Sequence, residues 1–123
     1  MEYVGFIKED AAKQAFLGNA RAVMVPSTFE EPFGMVMIEA LACGTPVVGL
    51  DSGAVGEVVR NGETGFVVAK TQAESDIVEQ LATALKRVGE IDRQACRRDF
   101  EARFTLARMA QEHVAVYERL AEQ

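Results

Sequence analysis

Apolar positions along the chain follow two regimes that change near residue 73. In the first, Val4-Gly5-Phe6-Ile7, Ala22-Val23-Met24-Val25 up to Pro26, Val47-Val48-Gly49-Leu50 and Phe66-Val67-Val68 read as short strands. They show little polar alternation, as expected of strands covered on both faces. Between them, Asp10 is placed to cap a helix running to about Leu17 and halted by Gly18-Asn19, and Val36, Ile38, Leu41 and Ala42 predict a helix over 34–43. A short helix is expected over residues 56–60, then a turn at Asn61-Gly62-Glu63-Thr64-Gly65 before the last strand. Strands alternating with helices predict an α/β fold, a parallel sheet of about four strands with right-handed crossovers and helices on both sides, three layers in all.

From residue 73 the pattern is helical only. Ile77, Val78, Leu81, Leu85 and Val88 form one stripe, ended by Gly89; a second helix is expected over 91–101. A third runs from a cap at Thr105 to Leu120, with Leu106, Met109, His113, Val116, Tyr117 and Leu120 on one face. His113 lies on that apolar stripe, and a packed histidine with one backbone partner is favoured over a catalytic one.

Composition narrows the function classes. A chain of 123 residues fits one domain with a modest core, and 49% hydrophobic with 26% charged residues is ordinary for a soluble protein. A net charge of −6 argues against general affinity for nucleic acid or an anionic membrane, so any anion must be captured locally. No apolar run approaches membrane length, and no basic segment leads an apolar one at Met1-Glu2-Tyr3-Val4; a cytoplasmic, unprocessed chain is the expectation. Cys43 and Cys96 do not form a ligand pair, and with a single His no structural zinc site is expected. Cys43, within Ala42-Cys43-Gly44, reads as a buried thiol.

Candidate chemistry concentrates in residues 26–46. The second strand ends at Pro26 and a helix opens after Pro32-Phe33-Gly34. Gly34 lets backbone approach a ligand closely, and the amides that follow have no partner inside the helix, so the turn offers free donors and a partial positive charge. A diphosphate suits such a place. Glu31 lies in the turn and Glu39 about one and a half turns into the helix. For Glu39 the competing reading is a helix-face residue paired with a nearby base, and for Glu31 a solvated turn residue.

Pro26-Ser27, Glu31-Pro32-Phe33-Gly34, Glu39-Ala40-Leu41-Ala42, Gly44-Thr45-Pro46-Val47-Val48, Gly53, Glu57 and Asn61-Gly62-Glu63-Thr64-Gly65 occur in one order. Together they resemble the C-terminal, donor-binding domain of a retaining glycosyltransferase of family 4 (group 1). Its GT-B fold sets two Rossmann-like domains across a cleft. The likeness runs from about Val4 to Val68 and more loosely to the end. It implies that Glu39 accepts from the ribose hydroxyls of a nucleotide sugar, and that the amides of Gly34, Met35 and Val36 hold the diphosphate. It implies that Glu31, the catalytic candidate, contacts the transferred sugar near its reacting carbon. Glu57 matches a Gly-rich turn of the family, although Ala54 stands where a second Gly is usual and Gly56 where Pro often sits.

Set against that family, the chain is expected to be an incomplete donor domain spanning residues 1–123. The acceptor domain and first donor-domain strands, which carry an Arg and a Lys for the diphosphate, are missing. The implied function is binding of a nucleotide diphosphate sugar for transfer of a hexosyl group. No metal or other cofactor is expected, and the acceptor segment or a partner chain must complete the site. The alternative is a non-catalytic half-Rossmann interaction or oligomerisation module, and an uncovered sheet edge and helix face would favour a homodimer. No basic residue lies near Glu31 and Glu39 in sequence, the closest being Arg21 and Arg60. Helix-end stabilisation of an anion is about 0.3–1 kcal/mol, up to about 2 when partly buried, and a charged hydrogen bond contributes about 1.5–3. Micromolar binding needs about 8. A chain with two or three amides and a ribose clamp is therefore expected to bind at about millimolar strength and to lack transferase activity.

Overall fold

The computed structural model describes residues 2–5, 7–26, 35–71 and 73–122. Strands β1 (Val23–Val25), β2 (Val47–Leu50) and β3 (Gly65–Val68) form one parallel sheet in the order β1-β2-β3. Val23 pairs with Val47, and Val47 with Gly65. Successive strand residues point to opposite faces, and every residue of β2 is buried, so both faces of the sheet are covered there. The polar-free run Val47–Leu50 has the composition such a position requires.

Helix α1 (Asp10–Gly18) precedes β1, α2 (Met35–Ala42) joins β1 to β2, and α3 (Val55–Val58) joins β2 to β3. Helix α4 (Glu74–Arg87) packs on β2 and β3 and runs into a 3₁₀ turn at Val88–Glu90; α5 (Arg93–Arg103) packs along α2, and α6 (Leu106–Ala121) ends the described chain. Met37, Leu41, Val47, Val48, Leu50 and Val55 are the fully buried apolar centre. Each buried leucine, valine or methionine contributes about 1.5–3 kcal/mol, which makes this cluster the main source of stability.

The α/β class, the parallel sheet and the helical C-terminal segment agree with expectation. One strand does not. Residues 2–5 are exposed and not in a strand, so the sheet has three strands among the described residues rather than about four. Gly5 sits at φ 75, in the left-handed region, which breaks the extended run. Asp10 is the first residue of α1 rather than its cap; Glu9 holds that place without a side-chain cap bond. Thr105 does cap α6, its Oγ1 accepting from the amide of Arg108.

The end of α2 is closed by its own sequence. Gly44, at φ 72, donates to Leu41 O at 2.9 Å and Thr45 donates to Ala40 O at 2.9 Å. This is the paired closure a left-handed residue after a helix permits, and Pro46 then prevents continuation. The chain enters β2 at once.

Cys96 is the fully buried thiol, its Sγ facing Thr64 O at 3.7 Å, whereas Cys43 is only half-buried. Burial pushes the Cys96 thiol up from 9.0 to about 11, with nearby Arg93 opposing the rise. A raised acid keeps its proton in the folded state after the unfolded chain has lost it. Its contribution is whole below pH 9 and is lost as pH rises to about 11. Stability is expected to fall by roughly 2–3 kcal/mol across that window. Cys96→Ala should flatten this part of the curve; urea titrations of both proteins at pH 8 to 11 check it, and identical slopes would refute it.

Candidate functional site

The first turn of α2 lies beyond β1 on the sheet side where, in parallel α/β proteins, ligands meet the carboxyl ends of strands. Its inward face is anchored: Met37, Ile38, Ala40 and Leu41 are buried against the sheet. Its outward face is open. Met35 is 57% and Val36 43% exposed. Amides there have no acceptor four residues earlier within the helix, and the helix dipole adds to their attraction for an anion.

Glu39, one turn further along α2, has a side chain 32% exposed, and its Oε2 lies 3.2 Å from Lys13 Nζ on α1. This is the pairing with a base that sequence left open as the competing reading, made by a residue 26 positions earlier. The nearest bases in sequence, Arg21 and Arg60, are not its partner here. Both members are part-exposed, so the pair contributes about 0–1 kcal/mol at most. One ammonium also uses only part of a carboxylate's acceptor capacity, which leaves room for hydroxyl donors. Lys13 adds a positive charge beside Glu39 that sequence spacing concealed.

Glu39 stands on a ridge between two cavities. A polar one of about 490 Å³ is lined by Asp10, Lys13, Gln14, Cys43 and Arg97. An apolar one of about 500 Å³ is lined by Met35, Ile38, Phe100, Phe104, Leu106 and Met109. A wider cavity of about 630 Å³ lies against β3 and α4, at Asn61, Glu79 and Arg87, away from Glu39. The polar cavity places Glu39 with Lys13 and Arg97, and the apolar one places it with Arg103 and with Met35 of the first turn of α2.

Of the site residues expected from sequence, Met35 and Val36 open α2 and Glu39 lies in its middle, one turn on. Glu31 and Gly34 lie outside the described residues. Glu57 is exposed in α3, and its backbone carbonyl accepts from Arg103 at 3.0 Å, a structural role. His113 does have one backbone partner, Met109 O at 2.8 Å, but it is exposed rather than packed, because α6 stands clear of the core. Among the described residues no cluster of three or more His, Cys, Asp or Glu is placed to hold a metal, and no helix is long and apolar enough to cross a membrane.

What holds α2 in place was missed by sequence reasoning. Three arginines of α5 reach the ends of three other helices. Arg93 donates to Gly18 O at 2.7 Å at the end of α1, Arg97 to Ala42 O at 2.7 Å at the end of α2, and Arg103 to Val58 O at 2.7 Å at the end of α3. Cations favour helix C-termini, where carbonyls lack partners.

A Rossmann-like α/β protein with a parallel sheet is the class this fold defines. Residues 1–99 match the family of group 1 glycosyl transferases, so the chain belongs to that family. It is 49% identical over 77 residues to a D-inositol 3-phosphate glycosyltransferase of Rhodococcus erythropolis, covering 61% of this chain and 17% of that protein. It is 36% identical over 107 residues to a glycogen synthase of Mycobacterium tuberculosis, covering 82% of this chain and 25% of the relative. In three dimensions it resembles the pneumococcal O-GlcNAc transferase GtfA, solved with UDP and GlcNAc, with a TM-score of 0.70 at 21% identity over 87% of this chain and 22% of that one. That likeness extends the GT-B assignment to the fold. The chain thus spans about a fifth of the length of these proteins.

Proposed function

We propose that this chain is the nucleotide-sugar donor-binding part of a retaining glycosyltransferase that moves a hexosyl group from a nucleotide diphosphate sugar to an acceptor. The amides of Met35 and Val36, together with Gly34, receive the diphosphate. Glu39 accepts from the ribose hydroxyls, and Glu31 contacts the transferred sugar at its reacting carbon. The leaving diphosphate is stabilised by the start of α2 rather than by a metal ion. The observation that carries this reading is the exposed first turn of α2 with the Glu39 carboxylate one turn on, part-exposed and flanked by Lys13.

Transfer further needs an acceptor aligned with the donor and shielded from water. In this reading another segment or a partner chain supplies that wall, as residues 1–123 form an incomplete donor domain. The alternative of a non-catalytic module finds no support in the likenesses above.

Calorimetry of the pure chain with UDP and with GDP tests the proposal. Binding of about millimolar strength is expected, since about 8 kcal/mol would be needed for micromolar affinity. No sugar transfer is expected from the isolated chain. Glu39→Ala should weaken nucleoside diphosphate binding at least about fivefold, the loss of one charged hydrogen bond or more. Binding of inorganic diphosphate should be unchanged or tighter, because a nearby negative charge is removed. Equal nucleotide affinity of Glu39→Ala and the parent would remove the ribose role, and micromolar binding or transfer by the parent would overturn the incomplete-domain reading.

A further inference from the structure

In a parallel sheet a strand bonds its neighbour with alternate residues, and the residues between face the other way. In β3 and its approach, Thr64 O accepts from the amide of Val47 at 3.1 Å and Val68 O from that of Asp51 at 2.7 Å, so Thr64, Phe66 and Val68 serve β2. Gly65 and Val67 turn their backbone groups outward, where a further strand would bond. That side is taken by the chain itself. The amide of Gly62 donates to Gly65 O at 2.8 Å, and the amide of Val67 donates to Asn61 Oδ1 at 2.9 Å. Asn61 pairs with Gly65 as a parallel bridge one residue long. Gly62, at φ 83, lets the chain double back in so few residues. The turn is also held from behind: Thr64 Oγ1 accepts from the amide of Arg60 at 3.0 Å, and the Arg60 guanidinium meets the nearly buried Asp99 of α5 at 3.1 Å.

We propose that the Asn61-Gly62 turn is a plug on the outer side of β3 that keeps this strand from pairing with the same strand of a second copy. The side-chain carbonyl of Asn61 is what makes it a plug. It satisfies the Val67 amide without presenting a next donor and acceptor in strand register, so pairing ends after one residue. Such a device has something to guard against: Phe66-Val67-Val68 is aromatic and β-branched without a charge, a composition that pairs readily once its edge is free. Arg87 adds a second deterrent, because its guanidinium lies 4.8 Å from the centre of the Phe66 ring and sets a charge beside the strand. The plug is built from residues 60–67 and α5 alone. It uses no residue of the candidate site and is independent of the donor-binding reading.

Two measurements on the whole chain test the plug. Asn61→Ala removes the acceptor and Asn61→Asp keeps one. By hydrogen exchange, the Val67 amide of Asn61→Ala should speed up about tenfold more than the amides of Phe66 and Val68, which face β2, whereas Asn61→Asp should keep it protected. That comparison separates the loss of one bond from a general loss of stability. Light scattering at micromolar concentration then follows association with time: Asn61→Ala should associate at least about fivefold faster than the parent, and Asn61→Asp at the parental rate. Adding Val67→Pro to Asn61→Ala deletes the freed N–H at an edge position where proline is tolerated, and should return association to the parental rate. Association that comes from unfolding would persist in the proline variant. Equal association of Asn61→Ala and the parent, a proline double variant as fast as the single one, or Val67 protection indifferent to Asn61 would each overturn the proposal.

Discussion

Gly65→Ala is expected to remove a large share of the stability of this chain. Gly65 opens β3 and pairs with Val47 on the central strand. A β-carbon built there would fall onto the backbone of Val47, 2.7 Å from its carbonyl carbon and 2.8 Å from its nitrogen. Backbone cannot turn aside as a side chain can. The strands must therefore part, and the bonds from Val47 N to Thr64 O at 3.1 Å and from Asp51 N to Val68 O at 2.7 Å go with them. Val47 and Leu50 lie at the centre of the core, so the gap opens where packing is densest. A cost of at least about 4 kcal/mol is expected, in the exceptional range for one substitution. Domains hold only about 5–15 kcal/mol in all. Urea denaturation followed by circular dichroism checks it: a variant retaining a transition within about 1 kcal/mol of the parent would show that the close approach does not exist.

Gly65 also marks where the sequence stops being informative. The run Val47–Leu50, the turn before β3 and the Thr105 cap were readable because burial on two faces, turn chemistry and capping leave local signatures. The helix start after Gly34 was readable for the same reason. The Val4–Ile7 run has strand composition, but composition does not say whether a neighbouring strand is there to pair with, and Gly5 instead turns the chain. The depth of the two thiols was likewise unreadable: Cys43, in the turn after α2, is half-buried and Cys96, inside α5, is fully buried, because depth depends on what packs over each. At the site, the competing reading of Glu39, a helix-face residue paired with a base, was legible, but its partner Lys13 was not. Pairing across 26 positions depends on how α1 lies against α2, and no periodicity encodes that.

The arginines of α5 are the largest case of the same kind, and they carry the second large expected effect. Arg93→Ala is expected to destabilise the chain by about 2–4 kcal/mol. The guanidinium donates to Gly18 O at 2.7 Å, to Ala20 O at 2.8 Å and to Thr45 Oγ1 at 2.9 Å. Thr45 is fully buried, and its hydroxyl in turn donates to Leu17 O at 2.7 Å. Each charge-assisted bond contributes about 1.5–3 kcal/mol, and water can replace part of this at the half-buried carbonyls, which keeps the total below the sum. Arg93→Lys should recover less than half, because an ammonium is a point donor and cannot span three acceptors held in a fork. Arg97→Ala, which frees one carbonyl at an exposed position, should cost under about 1 kcal/mol. The clamp also bears on function. It ties the end of α1, which carries Lys13, to the turn that closes α2, which carries Glu39, so the Lys variant should bind nucleoside diphosphate more weakly although Arg93 touches neither residue of the pair. Chemical denaturation of the three variants, with UDP calorimetry on Arg93→Lys, decides the matter: a lysine variant equal to the parent in stability would show that a single positive charge, rather than the three-way fork, holds these helices together.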